Sequence, residues 1–241
     1  MYIIIMAGGL GKRMKSDIPK VLHKVGEMPM LVKIIKTARE LKPDKILVIV
    51  GKYKDMIEDT LKQYIDMKDI EFIIQEESLG TGHAIQCCKL YFEKMGNESL
   101  LILSGDTPLL TVETIKDFER GNNNKIMTTI LEKPYGNGRI VRNMYGEFDK
   151  IVEERDSNEM ECKIGEVNCG IYKFDSKILM ENIMKLKNNN VQNEYYLTDI
   201  VKIIKDIGHK IDIYILSKDK QHELMNVNTK EQLDYINEHI L

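Results

Sequence analysis

Gly8, Gly9 and Gly11 follow directly on the apolar run "YIIIM", and Arg13, Asp17, Pro19 and Lys20 come next, in the stretch "MAGGLGKRMKSDIPKVL". Without a Cβ, the glycines let backbone amides close on a ligand. Successive N–H groups in such a turn form a nest for an anion. Fixed cations behind a nest suit a ligand with several negative charges, and a triphosphate is one that fits. The spacing matches neither GxxxxGK[ST] nor GxGxxG, so the loop alone does not define a site. Taken by itself it also reads as a tight turn carrying exposed basic residues.

Two more polar, glycine-bearing segments follow apolar runs: residues 75–82, "QEESLGTG", and residues 104–108, "SGDTP". Gln75 can both donate and accept a hydrogen bond. Asp106 stands just past a strand. Each has a plainer reading too: Gln75 solvated beside a helix start at Thr81, and Asp106 as a turn or helix cap. His83 reads as a packing residue at that helix start.

The elements that must position these segments alternate through the first half. Strands are expected at 2–6, 45–50, 70–74 and 99–104, as apolar runs fit for burial on both faces. Helices are expected at 30–42, 54–66 and 83–93. In the first of these Leu31, Ile34, Ile35, Ala38 and Leu41 share one stripe, closed by Pro43. This rhythm predicts an α/β fold with a mostly parallel sheet and right-handed crossovers. Ligands of such sheets sit beyond the carboxyl ends of the strands, so segments 7–20, 75–82 and 104–108 are expected on one rim. The second half is less regular. Strands are expected at 125–131, 138–143, 149–155, 165–174 and 210–216, with helices near 175–187, 198–207 and 229–239.

Composition excludes some classes. The chain has 241 residues, 43% hydrophobic and 30% charged, with 35 Lys and Arg against 38 Asp and Glu. No basic tract interleaved with aromatics marks a nucleic-acid surface. The apolar N-terminus ends at Gly8, too short for a signal peptide core, and no stretch approaches the ~18 apolar residues that span a bilayer. A cytoplasmic location is expected. Cys87, Cys88, Cys162 and Cys169 show neither zinc-knuckle nor CxxC spacing, and read as buried or half-buried free thiols.

The first loop resembles the signature of sugar-phosphate nucleotidylyltransferases, LAAGxGTRMxSxxPKxL. The likeness is strongest to the uridylyltransferase domains of bacterial N-acetylglucosamine-1-phosphate uridylyltransferases. Further elements occur in the same order over essentially the whole chain: "QEESLGTGHA", "SGDTPLL", "YGNGRIV", "IVEERD", "GEVNCGIY", "NNNVQNEYYLTDI" and "MNVNTKEQL". The resemblance implies a Rossmann-like nucleotidyltransferase fold: one domain over 1–241, a three-layer sandwich around a mostly parallel mixed sheet with a small acceptor-side lobe. Residues 1–120 would form the nucleotide part, 121–228 the sugar part and 229–241 a closing helix. Carried over, the backbone of Ala7, Gly8, Gly9 and Gly11 holds the nucleotide. Arg13 meets the outer phosphates, and Lys20 those near the reacting phosphorus. Gln75, Gly80 and Thr81 recognise the pyrimidine. Asp106 and Asn228 bind Mg²⁺, with Asn228 also readable as the N-cap of the last helix. Gly138, Glu153, Asn168, Glu194, Tyr196 and Thr198 hold the amino sugar, although Glu153 and Glu194 taken singly also read as surface charges. Asp156, Arg139 and Arg155 read as structural. The chain departs from the pattern at Lys12, where Thr is usual, at Ser104, where an aromatic is frequent, and at Asn226, where Gly is frequent.

The implied reaction joins UTP and N-acetyl-α-glucosamine 1-phosphate to give UDP-N-acetylglucosamine and diphosphate, with direct attack on the α-phosphorus. Alternatives are another phosphorylated acceptor or base, such as glucose 1-phosphate or dTTP, and a non-catalytic regulatory protein on the same fold. No hexapeptide repeats are present, so no acetyltransferase activity is expected. The expected partners are the two substrates, without nucleic acid or membrane. The oligomeric state stays open.

Overall fold

The computed structural model describes residues 1–9, 11–94 and 96–240; Leu10, within the glycine loop, and the side chain of Lys12 lie outside it. The fold is α/β with a mixed, mostly parallel sheet, as the alternation of elements predicts. The chain divides into two compact units. One comprises Met1–Ser78, Leu103–Glu119 and His222–Leu241, the other Leu79–Ile102 and Arg120–Gln221.

In the first unit, strands Tyr2–Met6, Lys45–Val50 and Ile70–Ile74 pair in parallel, with Ile4 opposite Leu47 and Val48 opposite Phe72. Ile3, Ile4, Ile5 and Ile46 through Val50 are fully buried, which is why these runs carry no polar alternation. Helix Met30–Arg39 buries Met30, Leu31, Val32, Ile34, Ile35 and Ala38. Each of these side chains other than Ala38 contributes about 1.5–3 kcal/mol by leaving water. This helix stops three residues short of the expected end, and Lys42 then takes a left-handed φ of 52° before Pro43. Helix Lys54–Lys62 is also shorter than expected. Its last apolar anchor is Leu61, and Asp66 turns the chain by accepting from the Lys68 amide.

Helix Val112–Glu119 was not anticipated. Its start is organised from far away. The Thr111 amide and hydroxyl donate to Glu223 Oε2 at 2.9 and 2.8 Å, and the Thr114 hydroxyl donates to Glu223 Oε1 at 3.0 Å. A buried carboxylate thus meets the donors at a helix N-terminus, where negative charge is favoured.

In the second unit, strand Lys125–Ile130 lies between Asp212–Leu216, its parallel neighbour, and Glu166–Asp175, which is antiparallel. The latter pairs in turn with the first residues of strand Ser99–Ser104. Arg139–Arg142 forms a hairpin with Phe148–Val152, and Val167 pairs with Arg139. The register of Glu166–Asp175 shifts between Asn168 and Tyr172, where Gly170 has φ 70°. A glycine inside a strand marks such a bulge. The helix expected over 83–93 is two pieces, Thr81–Gln86 and Lys89–Phe92. The break falls at Cys88, which is fully buried and whose amide donates to Ile85 in a tight turn. Helices Ser176–Ile183 and Thr198–Asp206 complete this unit.

The cysteines are free; burial pushes the thiols of Cys88 and Cys169 up. Cys162 is exposed, contrary to the expectation of buried or half-buried thiols, because it sits on the surface turn Glu161–Lys163. Among the described residues no helix is long and apolar enough to cross a membrane.

Candidate active site

The glycine loop delivers Lys20. Gly11 has φ 58°, and a Cβ there would lie 2.8 Å from the Cβ of Lys20, so both conformation and space demand glycine. After Pro19 the turn Lys20–Leu22 buries Val21 and Leu22, which leaves the Lys20 side chain to project on its own. Its ammonium donates to Asp106 Oδ2 and, at 2.9 Å, to Asn228 Oδ1. Arg13 stands exposed on the turn Lys12–Met14, which is anchored by buried Met14.

Asp106 is placed by the end of its strand. The Gly105 amide donates to Met6 O at 3.0 Å, and a Cβ on Gly105 would meet that oxygen at 3.1 Å. The two strand ends therefore touch, and Asp106 follows immediately, 8% exposed. Ser104 donates its hydroxyl to Asp106 Oδ1 at 2.6 Å.

Asn228 arrives through backbone pairing. The Val227 amide donates to Asp106 O at 3.0 Å, and the Val227 side chain is fully buried with Met14, Val25, Met30 and Ile236. The expectation that Asn228 caps the last helix is corrected. Thr229 is the N-cap of Lys230–His239 and forms a capping box with Gln232, whose side chain also accepts from the Asn228 amide at 2.7 Å. The helix end is capped by Thr229, which leaves the Asn228 side-chain oxygen to accept from Lys20.

Gln75 is 7% exposed, and its amide nitrogen on the backbone donates to Val50 O. A Cβ on Gly8 would lie 3.2 Å from Gln75 Oε1, so Gly8 gives the glutamine room beside the loop. Ala7 donates its N–H to Ile49 O at 2.8 Å. That amide is spent in the sheet. Gly9 is exposed with open space at its Cβ position.

The other predicted residues belong to the second unit. Gly80 has φ 109°, and a Cβ there would meet Tyr195 O at 2.5 Å; one on Gly82 would meet Leu186 Cδ1 at 2.5 Å. The reason is a clasp between two segments. Tyr195 N donates to Leu79 O, Gly82 N donates to Tyr195 O at 2.7 Å, and Leu197 N donates to the Thr81 hydroxyl at 3.0 Å. The loop carrying Gly80 and Thr81 is thereby joined to the one carrying Glu194, Tyr196 and Thr198. His83 packs with its ring centroid 6.3 Å from that of Tyr195.

Glu153 Oε1 accepts from the Thr198 hydroxyl at 2.9 Å. Burial pushes the Glu153 carboxyl above its ordinary range, with Thr198 opposing the shift. Gly138 is buried against Ile151 and Glu153, and its carbonyl accepts from Asn168 N at 2.9 Å. Asn168 spans the bulge, its side-chain amide donating to the Tyr172 hydroxyl at 2.7 Å. Tyr196 is 6% exposed; its hydroxyl donates to Asp156 Oδ2 at 3.1 Å and accepts from Gln192 at 2.9 Å. Burial pushes that phenol up to about 12. Asn190 ties the loop further, donating to Glu194 O and accepting from Glu194 N. Asp156 and Asn190 were not singled out as binding groups in the sequence, since one carboxylate among many and an asparagine in "KNNN" give no local signal.

Among the described residues no cluster of three His, Cys, Asp or Glu forms. What converges is one carboxylate oxygen and one amide oxygen on a single ammonium. That donor set fits a hard divalent cation, which takes oxygen ligands and often only one or two carboxylates, with phosphates completing its shell.

Residues 3–133 match the family of MobA-like NTP transferase domains, and the chain belongs to that family. It is a nucleotidyltransferase, a class that in general uses a divalent metal. The chain is 45% identical to a "Probable UDP-N-acetylglucosamine pyrophosphorylase" of Acanthamoeba polyphaga mimivirus, over 98% of this chain and 94% of that protein. It is 44% identical to the "Bifunctional protein GlmU" of Alkaliphilus oremlandii, covering 95% of this chain and 50% of that protein. The chain thus spans about half the length of the bifunctional relatives it matches. A crystal structure of UDP-glucose pyrophosphorylase complexed with UDP-glucose superposes with a TM-score of 0.76 at 17% identity, covering 98% of this chain and 96% of that one. At that identity the likeness is one of fold.

Proposed function

We propose that this chain transfers the uridylyl group of UTP to N-acetyl-α-glucosamine 1-phosphate, releasing diphosphate. The observation that carries the reading is the meeting of Lys20, Asp106 and Asn228, brought from three distant parts of the chain to one point behind a glycine loop. The name of the mimiviral relative, a UDP-N-acetylglucosamine pyrophosphorylase, supports the choice of substrates.

In the reaction a phosphate oxygen of the sugar phosphate bonds to the α-phosphorus of UTP, and the bond from that phosphorus to the bridging oxygen of the diphosphate breaks. The attacking oxygen is already ionised, so no general base is required. The backbone after Ala7, at Gly8, Gly9 and Gly11, cradles the nucleotide. Lys20 and Arg13 oppose the negative charge on the transferring group and on the departing diphosphate. Arginine can grip two oxygens at once, whereas lysine acts as a point charge. Asp106 and Asn228 would hold Mg²⁺. When bound, the ion screens the phosphates from one another and from the attacking oxygen. The uncharged Asn228 oxygen adds coordination without neutralising the cation.

Gln75 meets the donor and acceptor edge of uracil, with Gly80 and Thr81 limiting the space for a base. Gly138, Glu153, Asn168, Glu194, Tyr196 and Thr198 form the acceptor side. Their mix of carboxylate, amide and hydroxyl suits a neutral sugar, whose buried hydroxyls need partners. In this division residues 1–120 serve the nucleotide, 121–228 the acceptor, and 229–241 close the fold. The free thiols support work in a reducing compartment, the cytoplasm.

Diphosphate release with a panel of sugar 1-phosphates and nucleoside triphosphates tests the substrates. The reading predicts the highest kcat/KM for UTP with N-acetylglucosamine 1-phosphate. Equal or better turnover of glucose 1-phosphate or of dTTP contradicts it.

A further inference from the structure

We propose that Ser104 is the positioning residue of the metal pair, aiming one oxygen of Asp106 at the cation. The inference rests on the reading of Asp106 and Asn228 as the groups that hold the divalent ion.

A carboxylate on a short side chain can present either oxygen by turning about its last bond. Here the two oxygens are divided. Oδ1 accepts from the Ser104 hydroxyl at 2.6 Å, while Oδ2 faces the Lys20 ammonium, which Asn228 Oδ1 also approaches at 2.9 Å. An ionised carboxylate has no proton to give, so the serine must be the donor, and the bond is charge-assisted. Ser104 is itself fixed on both sides. Its carbonyl accepts from the Thr107 hydroxyl at 2.8 Å, and the next amide, Gly105 N, donates to Met6 O at 3.0 Å. The hydroxyl therefore sits on the rigid end of a strand, not on the loop it steadies.

The consequence is a pre-set, one-oxygen ligand. With Oδ1 held back, Asp106 offers Oδ2 to a cation beside Asn228, and the carboxylate does not have to be ordered when the ion arrives. Partners that orient a metal ligand from behind are worth about 10–100-fold in metal affinity. Removing this hydroxyl leaves the Asp106 side chain in place, yet free to rotate away from Asn228 or to offer both oxygens.

The test is the binding of Mn²⁺, read from the electron paramagnetic resonance of the free ion, for the unsubstituted chain and for Ser104→Ala, Ser104→Thr and Asp106→Asn. Diphosphate release against Mn²⁺ concentration is followed in parallel. Ser104→Ala should weaken Mn²⁺ binding about tenfold and raise the metal concentration for half-maximal rate to match. Its kcat at saturating Mn²⁺ should stay close to that of the parent, and Ser104→Thr, which keeps the hydroxyl, should restore the affinity. Unchanged Mn²⁺ binding in Ser104→Ala, while Asp106→Asn loses it, overturns the role of Ser104. So does a loss in Ser104→Ala that Ser104→Thr does not restore and that follows a lowered melting temperature. Undiminished Mn²⁺ binding in Asp106→Asn instead overturns the metal-pair reading underneath.

Discussion

The carboxylate of Asp106 and the amide oxygen of Asn228 share one cation, the ammonium of Lys20, although 122 positions separate the two side chains in sequence (228 − 106). The link between them is backbone, Val227 N donating to Asp106 O. Buried Val227 and the Thr229 capping box hold Asn228 from either side. The site is thus assembled by packing of the last segment onto the strand end, and several consequences can be measured.

Gln75→Ala should relax discrimination among bases. A site built to pair a polar edge rejects a mismatched partner because buried groups are left unpaired. The ratio of kcat/KM for UTP over CTP should fall by about tenfold or more. Gly8→Ala should act in the same direction more weakly, since its Cβ would stand 3.2 Å from Gln75 Oε1. An unchanged ratio in Gln75→Ala would remove that residue from base recognition.

Gly80→Ala should loosen the clasp to Tyr195. Its Cβ would meet Tyr195 O at 2.5 Å, at a φ of 109° that side chains rarely adopt. Strain of this kind costs about 1–3 kcal/mol. Lower thermal stability together with a raised KM for the sugar phosphate is the expected pair of effects, because Glu194, Tyr196 and Thr198 hang from the same segment. A raised KM for UTP alone would argue that Gly80 serves only the base.

Glu153 gives a pH signature. Burial raises its folded-state pKa, so the folded protein holds this proton at pH values where the unfolded chain has released it. Stability contributed by the protonated form is present below the ordinary carboxylate range and is lost as pH rises through the folded value. Glu153→Gln keeps an acceptor for Thr198 and carries no charge to bury. Melting curves should therefore show the variant more stable than the parent at neutral pH, with the difference vanishing under acid conditions, while acceptor binding weakens. A gap that widens as pH falls would reverse the assigned cause.

Glu223→Ala should destabilise the first unit. It removes the acceptor of the Thr111 and Thr114 hydroxyls and of the Thr111 amide. Hydrogen bonds to a charged group are worth about 1.5–3 kcal/mol each, less when water can replace them. A drop in melting temperature should appear with kcat little changed for the surviving folded fraction. A variant as stable as its parent would show that helix Val112–Glu119 forms without this carboxylate.

Most of the strands were legible because full burial leaves an unmistakable mark: Ile3 to Ile5 and Ile46 to Val50 have no polar residue among them. Helix ends were not, since they depend on the last side chain the core accepts, as Leu61 does for Lys54–Lys62. Helix Val112–Glu119 was missed because its organiser, Glu223, stands more than a hundred residues away, though Thr111 before Ile115 and Phe118 is a cap signal in the sequence itself. Asn228 stood out as a candidate, but its neighbours did not reveal which of Asn228 and Thr229 would cap the helix. Gln232 decides that, through the reciprocal bonds of the capping box. The clasp from Gly80 and Gly82 to Tyr195 was beyond reach, because it needs two segments more than a hundred residues apart to be seen together.

The most direct test of the account is diphosphate release from UTP by the purified chain with Mg²⁺, with and without N-acetylglucosamine 1-phosphate, before and after Asp106→Ala. The account predicts diphosphate and UDP-sugar in equal amounts, dependence on the sugar phosphate, and a rate reduced by about 10²–10³ in the variant. Release that ignores the sugar phosphate, or that survives the loss of Asp106, would contradict it.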